Sequence, residues 1–410
     1  MSSEQTEPES RRFINTSFVL FCLVIFAISF VLGSAFTIYV MPKTSLSNLA
    51  YHTSNNSTAA GPEKSQNDTK PAGKWVRLPN RNSKSSLQGL GYMAGYKKSD
   101  YSGVTLHKPS KAWKGYNFYV SGHNAEALLV DMDGTVLHRW QYSWEKAFPK
   151  LESDVHLDKG HPSQDESAGD YWNFAHLYPN GDILATYEEY GLVKLNKDSE
   201  LLWSKPIRAH HDIWVSPEGK IFTLTLKRKK LEDYRFRTLF RGKHGFIDYV
   251  TVLDSSGNVL NEYSVLEAFK RSEFAPLLKL VHKPDVFHTN TLSILQDVPE
   301  GMPPEFKAGR ALISMRRFNF TGVMDLSKEK IVWGKMTRLQ GQHDPSVLPD
   351  GDLLIFDNRQ RRQASRIVRM DPNRWTVKWE LSGEEDVPFY SICCGRNQRL
   401  PNGNILVTST

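Results

Sequence analysis

Five times between Asp131 and Trp379 the chain repeats one short phrase: an Asp or Asn, a turn, and a strand-like run ending in an aromatic residue. The copies are 131–140, 196–203, 254–263, 325–333 and 371–379, ending on Trp140, Trp203, Tyr263, Trp333 and Trp379. A second phrase, Pro-x-Gly ahead of an apolar run, recurs at Pro179-Asn180-Gly181, Pro217-Glu218-Gly219, Pro349-Asp350-Gly351 and Pro401-Asn402-Gly403. Pro presets φ and Gly takes positive φ without a Cβ clash, so each of these is a turn. The runs that follow, such as Leu353-Leu354-Ile355-Phe356, read as buried strands. Repeated four-stranded units of this kind, stacked round an axis, are the blades of a β-propeller. A sandwich or a solenoid is the alternative, and neither accounts as well for two alternating phrases. Five aromatic-ended strands and a last Pro-Asn-Gly unit predict an all-β, six-bladed β-propeller, its last blade either incomplete or closed by an N-terminal strand. A helix is expected only near Val265–Val281, as an insertion between blades.

At 410 residues the chain has ample length for such a domain plus accessory segments. From Phe13 to Met41 there is no charged residue, which is enough for a spanning helix of about 20 residues. The run is too long for a cleavable signal peptide. Arg11 and Arg12 precede it and Lys43 alone follows closely, so the expected topology keeps the N-terminus in the cytoplasm. The organisation expected is a cytoplasmic tail over 1–12, a transmembrane signal anchor over 13–41, a flexible stalk over 42–78 and the propeller over 79–410. The stalk follows from a stretch rich in Ser, Asn, Thr, Lys, Pro and Gly with few apolar residues. The expected location is a single-pass membrane protein with the propeller on the periplasmic or extracellular side.

The formal net charge is +7, carried by scattered residues and short runs such as Lys227-Arg228-Lys229-Lys230. No nucleic-acid motif accompanies these runs, so they read as solvated faces and no nucleic-acid partner is expected. Of three cysteines, Cys22 lies in the apolar run, and Cys393 and Cys394 are adjacent and would bridge only with strain. No metal-ligand spacing is evident and no cofactor is expected.

Loops leading into the innermost propeller strands converge on a central channel. Four polar places stand where such loops fall: His210-His211-Asp212, His288-Thr289-Asn290, Ser314-Met315-Arg316-Arg317 and Gln342-His343-Asp344. Any one of these histidines alone would pass for a structural residue. Three histidines and an arginine round one cavity would bind a tetrahedral oxyanion, because the guanidinium forks onto oxygen and imidazoles donate, accept or attack. The match between His211-Asp212 and His343-Asp344, each followed by a Pro-acid-Gly turn, favours His211 over His210. Asp344 is a candidate to orient an imidazole.

The series HHDIWVSPEG, FHTNTL, ISMRRFN, GQHDPSVLPDG and QRLPNGN resembles the PAPS-independent arylsulfate sulfotransferase family over about residues 113–410. The resemblance implies a six-bladed propeller that moves a sulfuryl group from a phenolic sulfate ester to another phenol or hydroxyl acceptor. It implies a sulfated histidine as intermediate, with His343 as nucleophile and His211, His288 and Arg316 binding and polarising the sulfuryl oxygens. Asn290, Arg317 and His210 are the expected supporting substrate contacts, and Arg316 is preferred to Arg317 because the family's arginine stands two residues after the strand's Ser, here Ser314. The rival reading is a membrane-anchored propeller that only binds a glycan or protein partner, since fold alone does not determine function. Such a platform has no need of the His/His/Arg/His set. A quinone-cofactor propeller dehydrogenase is disfavoured by the lack of tryptophan-docking repeats and of an acidic metal cluster.

Overall fold

The computed structural model describes residues 103–122, 124–149, 171–238, 241–336, 338–384 and 387–409. The tail, anchor and stalk expected over 1–78 lie outside the described residues. Among the described residues no helix is long and apolar enough to cross a membrane.

The strands form a β-propeller. Its first blade has three antiparallel strands, β1 (Asn117–Val120), β2 (Glu126–Val130) and β3 (Val136–Gln141). Four four-stranded meanders follow: β4–β7 (Trp172–Leu177, Ile183–Tyr187, Gly191–Leu195, Leu201–Lys205), β8–β11 (Ala209–Val215, Ile221–Lys230, His244–Leu253, Val259–Ser264), β12–β15 (Thr289–Ile294, Ala311–Met315, Phe320–Asp325, Lys330–Met336) and β16–β19 (His343–Val347, Leu353–Asp357, Arg366–Asp371, Thr376–Ser382). Last comes a two-stranded hairpin, β20 (Arg396–Arg399) and β21 (Ile405–Thr408).

The expectation of six blades is therefore corrected to five among the described residues. The last Pro-Asn-Gly unit, counted in sequence as a sixth blade, supplies only the β20–β21 hairpin. Its turn reaches the other end of the domain, where the Asn404 side-chain amide donates to the Lys111 carbonyl at 2.8 Å.

Both repeated phrases have structural work. Asp131, Asn196, Asp254 and Asp371 each accept two backbone N–H groups with Oδ1 and so build the turn before an outermost strand, as in Asp254 from Ser256 (2.9 Å) and Asn258 (2.8 Å). The aromatic residue ending that strand often docks the next blade. Trp140 Nε1 donates to the Gly181 carbonyl at 3.0 Å, Trp203 Nε1 to the Ser255 carbonyl at 3.2 Å, and Trp333 packs edge-on against Trp375 at 5.6 Å. The Pro-x-Gly turns connect first to second strands, and all four of their glycines have positive φ, between 81° and 87°.

The insertion expected near Val265–Val281 is a six-residue helix, Val265–Lys270, capped by Ser264 Oγ on the Glu267 N–H, and then a 3-10 segment, Ala275–Leu280. A four-residue helix at Trp144–Ala147 was not foreseen. Phe269 of the longer helix is fully buried against Phe287, Phe318 and Phe320, with ring centroids 5.0, 5.8 and 5.5 Å away. These rings flank His288, Arg316 and Arg317 in sequence. The inserted helix thus wedges the segments that enter β12 and leave β13, which is how burial of aromatic surface beside them holds their polar groups in place.

Candidate active site

Inner strands of successive blades pack side by side, β4 on β8, β8 on β12, β12 on β16 and β16 on β20. Of these, β8, β12 and β16 are kinked where they meet the channel. Register slips between His210 and Ile213 in β8, between Thr289 and Thr291 in β12 and between His343 and Ser346 in β16. At or beside these bulges His211, His288 and Asp344 adopt left-handed backbone with φ of 55°, 50° and 50°. Such geometry is unfavourable for residues with a Cβ, and bulges are where a strand re-aims a side chain.

The bulges bring the four sequence-predicted places together. The His211 and His288 rings meet edge to face at 5.1 Å, as do His210 and His211. Burial first, then the neighbouring His288, His210, His343 and Arg316, hold the pKa of His211 well below the ordinary histidine value. Burial and then the positive charge of Arg316 depress His343 to about 3. His210, almost wholly buried, falls to about 4, chiefly through burial. Uncharged imidazoles here face a fixed guanidinium, because taking their charged forms out of water beside Arg316 is doubly unfavourable.

The internal alignment misjudged one residue. Leu224 opposes His210 as Phe356 opposes His343, so His210 holds the register place of His343, and β8 carries an extra bulged residue. His211 lies in that bulge. Its Nδ1 lies 2.9 Å from His210 Nδ1 and 3.2 Å from Glu188 Oε1.

Each remaining histidine has its own partner. His288 Nδ1 donates to Asp285 Oδ2 at 2.7 Å, and Arg317 Nε donates to the same oxygen at 3.3 Å. Arg317 therefore braces the carboxylate behind His288. The Arg316 side chain makes no hydrogen bond or ion pair among the described residues and sits where it acts on both His211 and His343. Asn290 donates from Nδ2 to the Gln342 carbonyl at 2.9 Å, tying β12 to the residue before His343.

His343 Nδ1 lies 2.7 Å from Asn358 Oδ1. The Asn358 amide cannot be turned round, because its Nδ2 donates to the carbonyls of Ser391 (3.0 Å) and Cys394 (2.8 Å). Oδ1 must accept, so Nδ1 of His343 bears the proton and Nε2 keeps the lone pair. Cys393 and Cys394 are free thiols, and this pair matters here through the Cys394 backbone carbonyl.

Asp344 does not orient a histidine. It and Asp212 turn to the other side of the bulges and clasp Arg396 of β20. Arg396 Nη1 pairs with Asp212 Oδ1 and Nη2 with Asp344 Oδ1 at 3.3 Å, and the guanidinium lies over the Phe174 ring at 4.5 Å. Beyond this clasp a cavity of about 440 Å³ is lined by Phe174, Asp212, Trp214, Asp344, Arg396 and Gln398. The His-Asp pairs thus split, His to the site and Asp to the ring closure.

Sequence reasoning missed Glu188, Asn358, Asp285 and Arg396. A signal for the first two exists. Glu188, Arg316 and Asn358 each come immediately after a five-residue apolar second strand, Ile183–Tyr187, Ala311–Met315 and Leu353–Asp357. One blade position therefore feeds three blades' polar groups into the channel. Glu188, with burial and Glu189 beside it, has its pKa pushed up to about 8. Glu188, His210 and His211 are also a set that could hold a metal ion, one ligand atom each within 4.8 Å of the others.

No functionally curated protein matches the chain. Among solved structures it is similar to a protein of unknown function from Bacteroides caccae, with 10% identity, 71% of this chain and 81% of that chain covered, and a TM-score of 0.43. It is also similar to the WD40 β-propeller domain of Doa1 (12% identity, 72% of each chain, TM-score 0.39) and to a streptogramin B lyase (11%, 72% and 73%, TM-score 0.40). The sequence model of the family described as Arylsulfotransferase (ASST) matches residues 173–410, a stretch holding every side chain of the site from Asn173 to Arg396. The chain belongs to the arylsulfotransferase (ASST) family.

Proposed function

We propose that the protein transfers a sulfuryl group from a phenolic sulfate ester to another phenol or hydroxyl acceptor without PAPS, through a sulfohistidine at His343. The observation that carries this reading is the locked His343 tautomer: Asn358 accepts the Nδ1 proton, and Nε2 presents a lone pair on a ring that stays neutral. The family assignment supports the arylsulfotransferase class.

In the first half-reaction His343 Nε2 attacks sulfur, an N–S bond forms, the aryl S–O bond breaks and the electron pair leaves with the phenolate. Arg316, unpaired among the described residues, and His211 stabilise the equatorial sulfuryl oxygens. The departing phenolate takes a proton from His288 Nε2. Asp285 holds the opposite nitrogen of that ring and steadies its charged form. In the second half the acceptor hydroxyl returns its proton to His288 and attacks sulfur, and the N–S electron pair goes back to His343. Asn290 and Arg317 support from behind: the first ties down Gln342, the second braces Asp285.

The test is to incubate the full-length chain with an aryl sulfate and seek phenol release together with a sulfated peptide containing His343. His343→Ala abolishes both if the reading is right. Normal transfer in that variant refutes the nucleophile assignment, and a folded wild type that turns over no aryl sulfate hands the lead to the binding-platform reading.

Residues 13–41 are proposed to anchor the chain with the propeller outside the cytoplasm, from the uncharged run and the preceding Arg11-Arg12. Protease added outside intact cells should then cleave the propeller region; complete protection would reverse the topology.

A further inference from the structure

We infer that Glu188, His210 and His211 form a binding site for one divalent first-row transition-metal ion, set directly behind the sulfuryl site. The ligands come from adjacent blades, Glu188 from the end of β5 and the histidines from the bulge of β8, so no short sequence spacing announces them. Two imidazole nitrogens and a carboxylate oxygen converge on one small volume. His210 Nδ1 and His211 Nδ1 are 2.9 Å apart, and Glu188 Oε1 is 3.2 Å from His211 Nδ1. At metal–ligand distances of about 2.1 Å those separations subtend angles of roughly 90° and 100°. Both are angles between adjacent octahedral positions, and with three protein ligands the other positions stay open.

The atoms behind these ligands fit a metal better than they fit the three side chains alone. Glu188 Oε2 is held by Asn173 Nδ2 at 2.6 Å and by the His211 N–H at 3.1 Å, which leaves Oε1 to bind. His210 is 4% exposed, and its Nε2 is buried without a hydrogen-bond partner, 3.6 Å from Asp248 Oδ1. A cation on His210 Nδ1 would place the ring proton on Nε2, facing Asp248, the carboxylate–histidine–metal arrangement that tunes many metal sites. Asp248 is itself fixed, since its Oδ2 accepts from both the N–H (2.8 Å) and the hydroxyl (2.7 Å) of Thr289. A cation bound at His211 Nδ1 also assigns the proton of that ring to Nε2, making it a donor.

The experiment uses the full-length chain, stripped with a chelator and titrated with ZnCl2 by calorimetry and with CoCl2 by visible absorption. One equivalent of zinc should bind, and bound cobalt should show the weak bands of a five- or six-coordinate ion shifted from those of the aqua ion. Glu188→Gln and His210→Ala should each weaken zinc at least about 100-fold, Asp248→Asn about 10- to 100-fold. His176→Ala, outside the cluster, should leave affinity unchanged. Should the ligand variants misfold, the cobalt spectrum of the wild type decides alone. An aqua-ion spectrum, an intense tetrahedral one, or zinc uptake unaltered in folded Glu188→Gln overturns the site. Metal uptake is read without sulfuryl transfer, so loss of turnover with uptake intact counts against the sulfotransferase reading and not against this one.

Discussion

Asn358→Leu tests the site at the point where its chemistry and its architecture meet. The substitution keeps the branching at Cγ and removes three hydrogen bonds, to His343 Nδ1 (2.7 Å), the Ser391 carbonyl (3.0 Å) and the Cys394 carbonyl (2.8 Å). Asn358 is fully buried, so the orphaned groups lie away from bulk water. At about 1–3 kcal/mol for each of the three unsatisfied groups, the fold loses roughly 3–9 kcal/mol, comparable with the 5–15 kcal/mol typical of a domain. The catalytic effect is separable. Without an acceptor on Nδ1 the proton of His343 is no longer confined there, and the ring is free to turn. Loss of the bond and of the orientation should together cost about 3 kcal/mol in the sulfation step, roughly 10²-fold. Asn358→Asp is the companion: it keeps an oxygen on Nδ1 but adds a negative charge, which raises the His343 pKa from about 3. The nucleophile then protonates, and activity falls, at higher pH than in the wild type. The assay is the pre-steady-state burst of phenolate from a chromogenic aryl sulfate across pH, with near-UV circular dichroism as the folding control. A folded Asn358→Leu protein with a wild-type burst, or an Asn358→Asp profile with an unmoved acid limb, refutes the tautomer argument.

Three further outcomes follow from the same geometry. Arg316→Lys keeps the charge and loses the fork, so kcat/KM should drop by about 2–4 kcal/mol equivalent, roughly 30- to 1,000-fold, with folding unchanged; an unaltered value would remove Arg316 from the site. Arg396→Met leaves the buried Asp212, and Asp344, without the half-buried cation they share and should lower unfolding free energy by about 3–5 kcal/mol in urea titrations, whereas no change would mean that the clasp is not structural. His343 has an ordinary value of 6.5 and about 3 in the fold, so between them the unfolded chain binds more protons and stability falls as pH falls. From about pH 7 to about pH 4.5 the wild type should lose roughly 2–3 kcal/mol more than His343→Gln, and parallel losses in the two proteins would contradict the burial argument.

The architecture was legible wherever a local rule writes itself into the chain. Asx turns need Asp131, Asn196, Asp254 and Asp371, the Pro-x-Gly turns need glycines at positive φ, and the aromatic strand ends need rings that reach a neighbouring blade. Those requirements repeat with the blades, so the propeller, the inserted helix near Val265 and the four polar places could be read in order. The number of blades could not, because the Pro-Asn-Gly turn at 401–403 looks the same in a two-stranded hairpin as in a full blade. Partners across the channel were also invisible. His211 and His343 sit in matching words, yet one extra bulged residue in β8 gives His210 the register place of His343. Asp344 adjoins His343 in sequence and bonds instead to Arg396, a partner that β20 brings from a distant part of the chain. The sequence by itself determined the repeat and the inventory of polar groups that the repeat carries to the channel. Only the tertiary structure decided which carboxylate or amide each histidine meets, since those partners come from other strands and blades and are chosen by the bulges and by the wedge behind His288.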